Sequence, residues 1–412
     1  MRIKYFVAIA LMSFGLSSIS AQDITTEAQG GGGLQIIPGQ YIVQLKDKPS
    51  IDGLSTQSTE RPGEGGVMAA GTANTAKVKS VQAKGGIKSS SVLLEFGNAM
   101  VGFTAKLSPQ EVSKLKSDPN VEGVYPDYKI LSEPAASQLQ SNEVVGAASQ
   151  TVSCGVTKAG GPADGSTKST WIWVLSTGID YNHPDLNVQT NPTYAKSFIE
   201  GQTIMDGHGH GTHLAGIAAA KNNTIGVVGI SAGATVVPVK VLNNSGSGSF
   251  SGVIAGLNHV MSKKIAGDVV LLPIGAYGMA NCENSNPILR DIIRNLGNAG
   301  VWVVMPAGGS SDINGATKTF PGCINGTRVL TVGAINCNYT CSSYSNWGKP
   351  PVDWAAVGEA YYSTYKGGGY TTMSGTSMSA ALVAGICHAR TTGPISAGNV
   401  NCGGMTYPIA RR

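Results

Sequence analysis

The chain has 412 residues, 42% of them hydrophobic and only 13% charged, with a formal net charge of +5 at pH 7. Charge this sparse, with no Lys/Arg cluster interleaved with aromatics, excludes a nucleic-acid footprint. After the first residues no apolar run approaches the ~20 residues a helix needs to cross a bilayer, so no membrane span is expected.

The first residues, Met1-Arg2-Ile3-Lys4, are basic; an apolar run from Tyr5 to Leu16 and small residues to Ala21 follow. This pattern predicts a signal peptide over residues 1–21 and a secreted, extracellular product. Export permits disulfides. All 7 cysteines lie from Cys154 onward, an odd number that leaves at least one unpaired and whose connectivity the spacing does not fix.

After Gly30 to Gly33, the alternation in Tyr41-Ile42-Val43-Gln44-Leu45 predicts a half-buried strand. Residues 52–91 are rich in Gly, Ser and Thr and read as a long mobile insertion. Ser108-Pro109-Gln110-Glu111 combines a cap, a first-turn proline and a glutamate three residues after the cap, which predicts a helix to about Lys116. A strand over Val121 to Tyr125 completes a small α+β unit, residues 35–130, and the Ser/Ala/Gln-rich residues 131–148 read as a linker.

From residue 149 to 412 buried apolar runs alternate with helical segments: Trp171 to Leu175, Val236 to Leu242, Val269 to Leu272, Val301 to Met305 and Val329 to Val332. That rhythm predicts an α/β domain, a parallel sheet covered by helices on both faces. Three glycine-rich sites fall at its strand ends, where such sheets place ligands. They are Leu175-Ser176-Thr177-Gly178-Ile179-Asp180, then His208-Gly209-His210-Gly211-Thr212-His213, then Ser374-Gly375-Thr376-Ser377-Met378-Ser379. The three histidines lack the helical spacing and the further carboxylate of a metal site.

The last two sites resemble the histidine and serine motifs of the subtilisin-like serine peptidase family, proteinase K-like branch. The first resembles its aspartate motif with Ser176 in the aspartate's place. Asn222 to Gly229, Val239 to Leu242 and Ser345-Asn346-Trp347-Gly348 extend the likeness. The resemblance implies a subtilisin-like peptidase domain preceded by an inhibitory propeptide, which plugs the active site until removed. It also implies Ser377 as nucleophile and His210 as general base, with peptide or protein as substrate. A monomer needing no cofactor is expected. Ser247, Gly248 and Ser249 match one substrate-binding edge, and Pro273, Ile274 and Gly275 fall on the other. Asp353 corresponds to a residue that binds structural calcium in the proteinase K-like branch; the alternative is a surface or helix-cap carboxylate.

The departures fall in the cleft. At position 176 the family's aspartate fixes the histidine tautomer and stabilises the imidazolium; Asp180, four residues on, lies on a different side of the motif and Asp206 belongs to the histidine motif, and only geometry excludes them as substitutes. In Pro306-Ala307-Gly308-Gly309, Gly309 stands where the resemblance implies the oxyanion-hole asparagine. Pro273 lacks an N–H, Ala276 adds a methyl group, Val357 stands where proline is expected, and Ala381-Leu382 replaces a Pro-His pair. Three readings follow: a peptidase with severely reduced or lost activity, a pseudoenzyme that binds peptide or its own propeptide, and an artificially varied family member.

Overall fold

The computed structural model describes residues 35–47, 69–132, 149–279 and 282–412. The expected signal peptide, the Gly30 to Gly33 stretch and nearly all of the expected linker lie outside the described residues.

The N-terminal unit contains β1 (Ile36–Leu45), α1 (Ala69–Gly85), β2 (Val92–Phe96), β3 (Gly102–Lys106), α2 (Pro109–Lys116) and β4 (Val121–Ser132). β1 pairs antiparallel with both β3 and β4. α2 begins as expected: the Ser108 hydroxyl accepts from the Glu111 N–H, and Glu111 accepts from the Ser108 N–H in return. Two expectations are corrected. Residues 69–85, read as part of a mobile insertion, form α1, because its Ala- and Lys-rich sequence favours helix. Val78 and Val81 fasten α1 to a core with Val43, Phe103 and Leu115. Leu131 and Ser132, read as linker, are the last residues of β4.

The C-terminal domain is built on a 10-stranded sheet. Its main elements are β5 (Ile172–Ser176), α3 (His210–Ala219), β6 (Thr235–Lys240), β7 (Ser247–Ser249), α4 (Phe250–Lys263), β8 (Val269–Leu271), β9 (Ile274–Gly275), α5 (Pro287–Asn298), β10 (Trp302–Pro306), β11 (Val329–Ile335), β12 (Val352–Val357), β13 (Tyr361–Tyr365), β14 (Gly369–Met373), α6 (Thr376–Arg390), β15 (Ile395–Cys402) and β16 (Met405–Arg411). The large sheet runs β15-β16-β12-β11-β10-β8-β5-β6, and Asn187–Val188 and Lys196–Ser197 pair with β6. From β6 to β16 every pairing in this order is parallel, and only β15 runs antiparallel, to β16. β5 is buried along its whole length, as a parallel strand covered on both faces must be.

Two hydrophobic clusters divide the interior. One packs α3 and α6 on one face of the sheet. The other packs α4 and α5 on the opposite face and takes in Ile42, Phe96, Met100 and Ile130 of the N-terminal unit, so the two units share a core. Disulfides join Cys154 to Cys337, Cys282 to Cys323 and Cys341 to Cys402, which leaves Cys387 free and buried.

Candidate active site

Ser176 is the last residue of β5, His210 the first of α3 and Ser377 the second of α6, and all three are buried. The fold brings the first two of these residues together. Ser176 pairs in register with Lys240 of β6, and the α3 helix packs its first turn against the loop after β5. A Cβ on Gly211 would lie 2.0 Å from the Gly178 carbonyl oxygen, so only glycine allows this approach. Gly209 adopts φ 110° and faces the Tyr365 ring, where any side chain would collide.

The Ser176 hydroxyl lies 3.0 Å from His210 Nδ1. His210 Nε2, the other ring nitrogen, is buried without a hydrogen-bond partner. Burial, reinforced by the neighbouring His208 and His213, pushes the His210 pKa down to about 3. No carboxylate compensates. Asp206 spends both oxygens on the turn before α3: one accepts from Thr177 Oγ1, His208 N and Gly209 N, the other from Thr212 N and Oγ1. Asp180 accepts from Asn182 N at 3.1 Å and Gly368 N at 3.0 Å. Both carboxylates therefore hold loops, not the histidine ring.

Gly309 lies in the loop after β10. Its neighbours are tied down: Gly308 N donates to Thr376 Oγ1 at 3.2 Å, directly before Ser377, and Ser310 N and Oγ donate to Asn346 Oδ1. Position 309 is thus fixed beside the start of α6 while offering no side-chain donor.

The two expected substrate edges are joined by a third strand. β4 lies between them, antiparallel to both: Lys129, Ile130 and Leu131 pair with Ser249, Gly248 and Ser247, while Leu131 and Ser132 pair with Gly275 and Ile274. Ile130 is 1% exposed and Leu131 53% exposed, as alternation along a strand requires. Pro273 is buried between β8 and β9, and Ala276 exchanges both backbone hydrogen bonds with Phe320, at 2.8 and 2.9 Å.

Two contacts that fasten β4 and its neighbours escape a reading of the sequence. Asp127 of β4 is buried and accepts from Gln40 Nε2, Ser251 N and Ser251 Oγ; burial raises its pKa against these hydrogen bonds. Asn258 of α4 accepts from Asn98 N and Ala99 N, both at 2.8 Å. The only local signal was a carboxylate within a strand, and its partners lie far along the chain.

The histidines do not converge: His213 Nε2 is bonded to the carbonyls of Tyr361 and Thr371. Asp353, the possible calcium carboxylate, is the second residue of β12. Its Oδ2 accepts from Thr331 N at 2.8 Å, and burial pushes its pKa up to about 6. Among the described residues no group of three or more His, Cys, Asp or Glu side chains is placed to hold a metal ion.

The model of the subtilase family matches residues 167–389, and that of peptidase inhibitor I9 matches residues 40–130. The chain is 31% identical over 363 residues to alkaline serine protease ver112 of Corniculantispora psalliotae, covering 86% of this chain and 80% of that protein. It is 33% identical over 285 residues to subtilisin E of Bacillus subtilis (strain 168), covering 68% of each.

Proposed function

Because this chain belongs to the subtilase family and carries a peptidase inhibitor I9 domain, we propose that it is a secreted serine endopeptidase homologue whose acyl-transfer chemistry is severely reduced or lost. In this reading Ser377 is the nucleophile, and His210 takes its proton and returns it to the leaving amine. The observation that carries the proposal is the 3.0 Å contact between Ser176 Oγ and His210 Nδ1. A carboxylate there accepts only, so it holds the proton on Nδ1 and leaves Nε2 basic. A hydroxyl both donates and accepts, so it permits either tautomer and brings no charge to offset the imidazolium.

Loss of the carboxylate from such a triad costs about four orders of magnitude in turnover. Loss of one side-chain donor from an oxyanion hole costs about 10²–10³. The two act on one transition state, so they need not add.

The occupied cleft favours a second reading, a pseudoenzyme that binds peptide. β4 holds both substrate edges through backbone pairing that requires nothing of Ser176 or Gly309. The I9 unit then serves as an intramolecular inhibitor that stays in place. Calcium has no role in this account. Prolonged incubation of the purified full chain separates these readings from an ordinary peptidase: the chain is expected to remain uncut, and rapid self-processing between β4 and residue 149 would overturn the proposal.

A further inference from the structure

We propose that His208 is a positioning residue that acts on His210 through its charge, so that protonation of His208 blocks proton uptake by His210. The inference rests on the reading of His210 as the general base and adds how that base is regulated by pH.

His208 stands on the turn that delivers His210 to the first position of α3. Its ring centroid is 6.3 Å from that of His210, and the two planes are 84° apart. His208 Nδ1 and His210 Nε2 are each buried without a hydrogen-bond partner, so neither ring has a carboxylate or carbonyl to absorb a charge at that nitrogen. The turn is held from outside by Tyr365, whose hydroxyl donates to the His208 carbonyl at 3.1 Å.

The charged groups around His208 leave it little relief. On its own turn stands Asp206, with five donors already on its carboxylate. From the turn after β13 comes Lys366, whose ammonium donates to the Gly207 carbonyl at 2.6 Å. From the end of β6 comes Lys240, buried and bonded to the Thr177 carbonyl and to Asn244 Oδ1. Asp206 favours a charge on His208, while both lysines oppose it. His213, on α3, is the remaining titratable neighbour of His210. With Ser176 at the end of β5, this pocket holds one carboxylate against two ammonium groups.

Burial is the largest influence on both rings, lowering both pKa values, and it weighs less on the half-buried His208 than on the fully buried His210, which is pushed down to about 3. As pH falls, His208 therefore charges first. A cation at that distance opposes the imidazolium that must form on His210 when Ser377 gives up its proton. The acid limb of any Ser377 reactivity thus begins with the charging of the less buried His208, before His210 itself is protonated.

The test uses the full chain with histidine selectively labelled with ¹³C, titrated by NMR, for the wild type, His208→Gln and His208→Lys. In parallel, the rate at which a fluorophosphonate modifies Ser377 is followed against pH. His208→Gln is expected to raise the pH at which His210 protonates by about half to one unit. It should also move the acid limb of labelling down to the pH at which His210 itself protonates, while His208→Lys suppresses labelling across the whole range. Since Gln and Lys alter packing alike but charge differently, opposite effects identify charge as the cause. An unchanged His210 titration in both variants overturns the proposal. Absence of wild-type labelling at every pH would instead count against Ser377 as nucleophile, and the NMR arm would still decide the role of His208.

Discussion

Asp127 of β4 accepts from both the backbone N–H of Ser251, at 3.1 Å, and the Ser251 hydroxyl, at the first turn of α4. One carboxylate of the I9 unit thereby caps a helix of the peptidase domain, using a donor that the helix itself leaves open. Asp127→Ala strands the buried Ser251 N and removes the acceptor of the half-buried Gln40 Nε2. A loss of about 2–3 kcal/mol is expected in chemical denaturation of the full chain. An unchanged denaturation midpoint would contradict the role given to this contact.

The same residue carries a pH prediction. Burial raises the Asp127 pKa, so the docked state holds its proton more tightly than an opened state does. The stability contributed by this group is therefore greater below the raised pKa and declines as pH rises through it. Acidification should not release the I9 unit through Asp127. Comparing the pH dependence of hydrogen exchange in β4 between the wild type and Asp127→Asn checks this, with the variant expected to be flatter.

Adjacent residues of β4 should differ sharply. Ile130 fills a shared core with Phe250 and Ile274, whereas Leu131 faces solvent. Ile130→Ala is expected to cost about 2–5 kcal/mol and Leu131→Ala less than about 0.5 kcal/mol. Limited proteolysis of β4 reads the difference, with Ile130→Ala cut faster. Equal cutting would mean that the tail is not held by its alternation in the cleft.

At Asp353, calcium should not matter. Its carboxylate is committed to Thr331 N and its pKa is pushed up to about 6. A raised value in the folded state means that stability from this group falls as pH rises from about 4 to 6. Asp353→Asn should remove that slope, read from melting temperatures across the range. A calcium-dependent melting temperature that Asp353→Asn abolishes would contradict the assignment.

What the sequence discloses follows from how local each signal is. Strands such as β5 and β10 are legible because a parallel strand buried on both faces reads as a continuous apolar run. Helix α2 is legible because its capping box lies within four residues. Helix α1 is hidden by small and polar residues, since among its described side chains only Val78 and Val81 supply large apolar contacts to the core. The end of β4 is hidden for a different reason: Leu131 and Ser132 become strand only through β7 and β9, far along the chain. The positions of His210, Ser377 and Ser176 are legible from motifs, but the engagement of Asp206 and Asp180 by other donors includes contacts between segments far apart in the chain.

Position 176 is decisive for the proposed loss of activity. The most direct measurement is the rate at which a fluorophosphonate labels Ser377 in the wild type and in the Ser176→Asp, Gly309→Asn double variant. Labelling at least about 10³-fold faster in the variant is the expected result, since a carboxylate would again face His210 Nδ1 and an amide would again stand at the oxyanion position. Wild-type labelling as fast as that of the variant would contradict the claim that Ser176 and Gly309 disable this site.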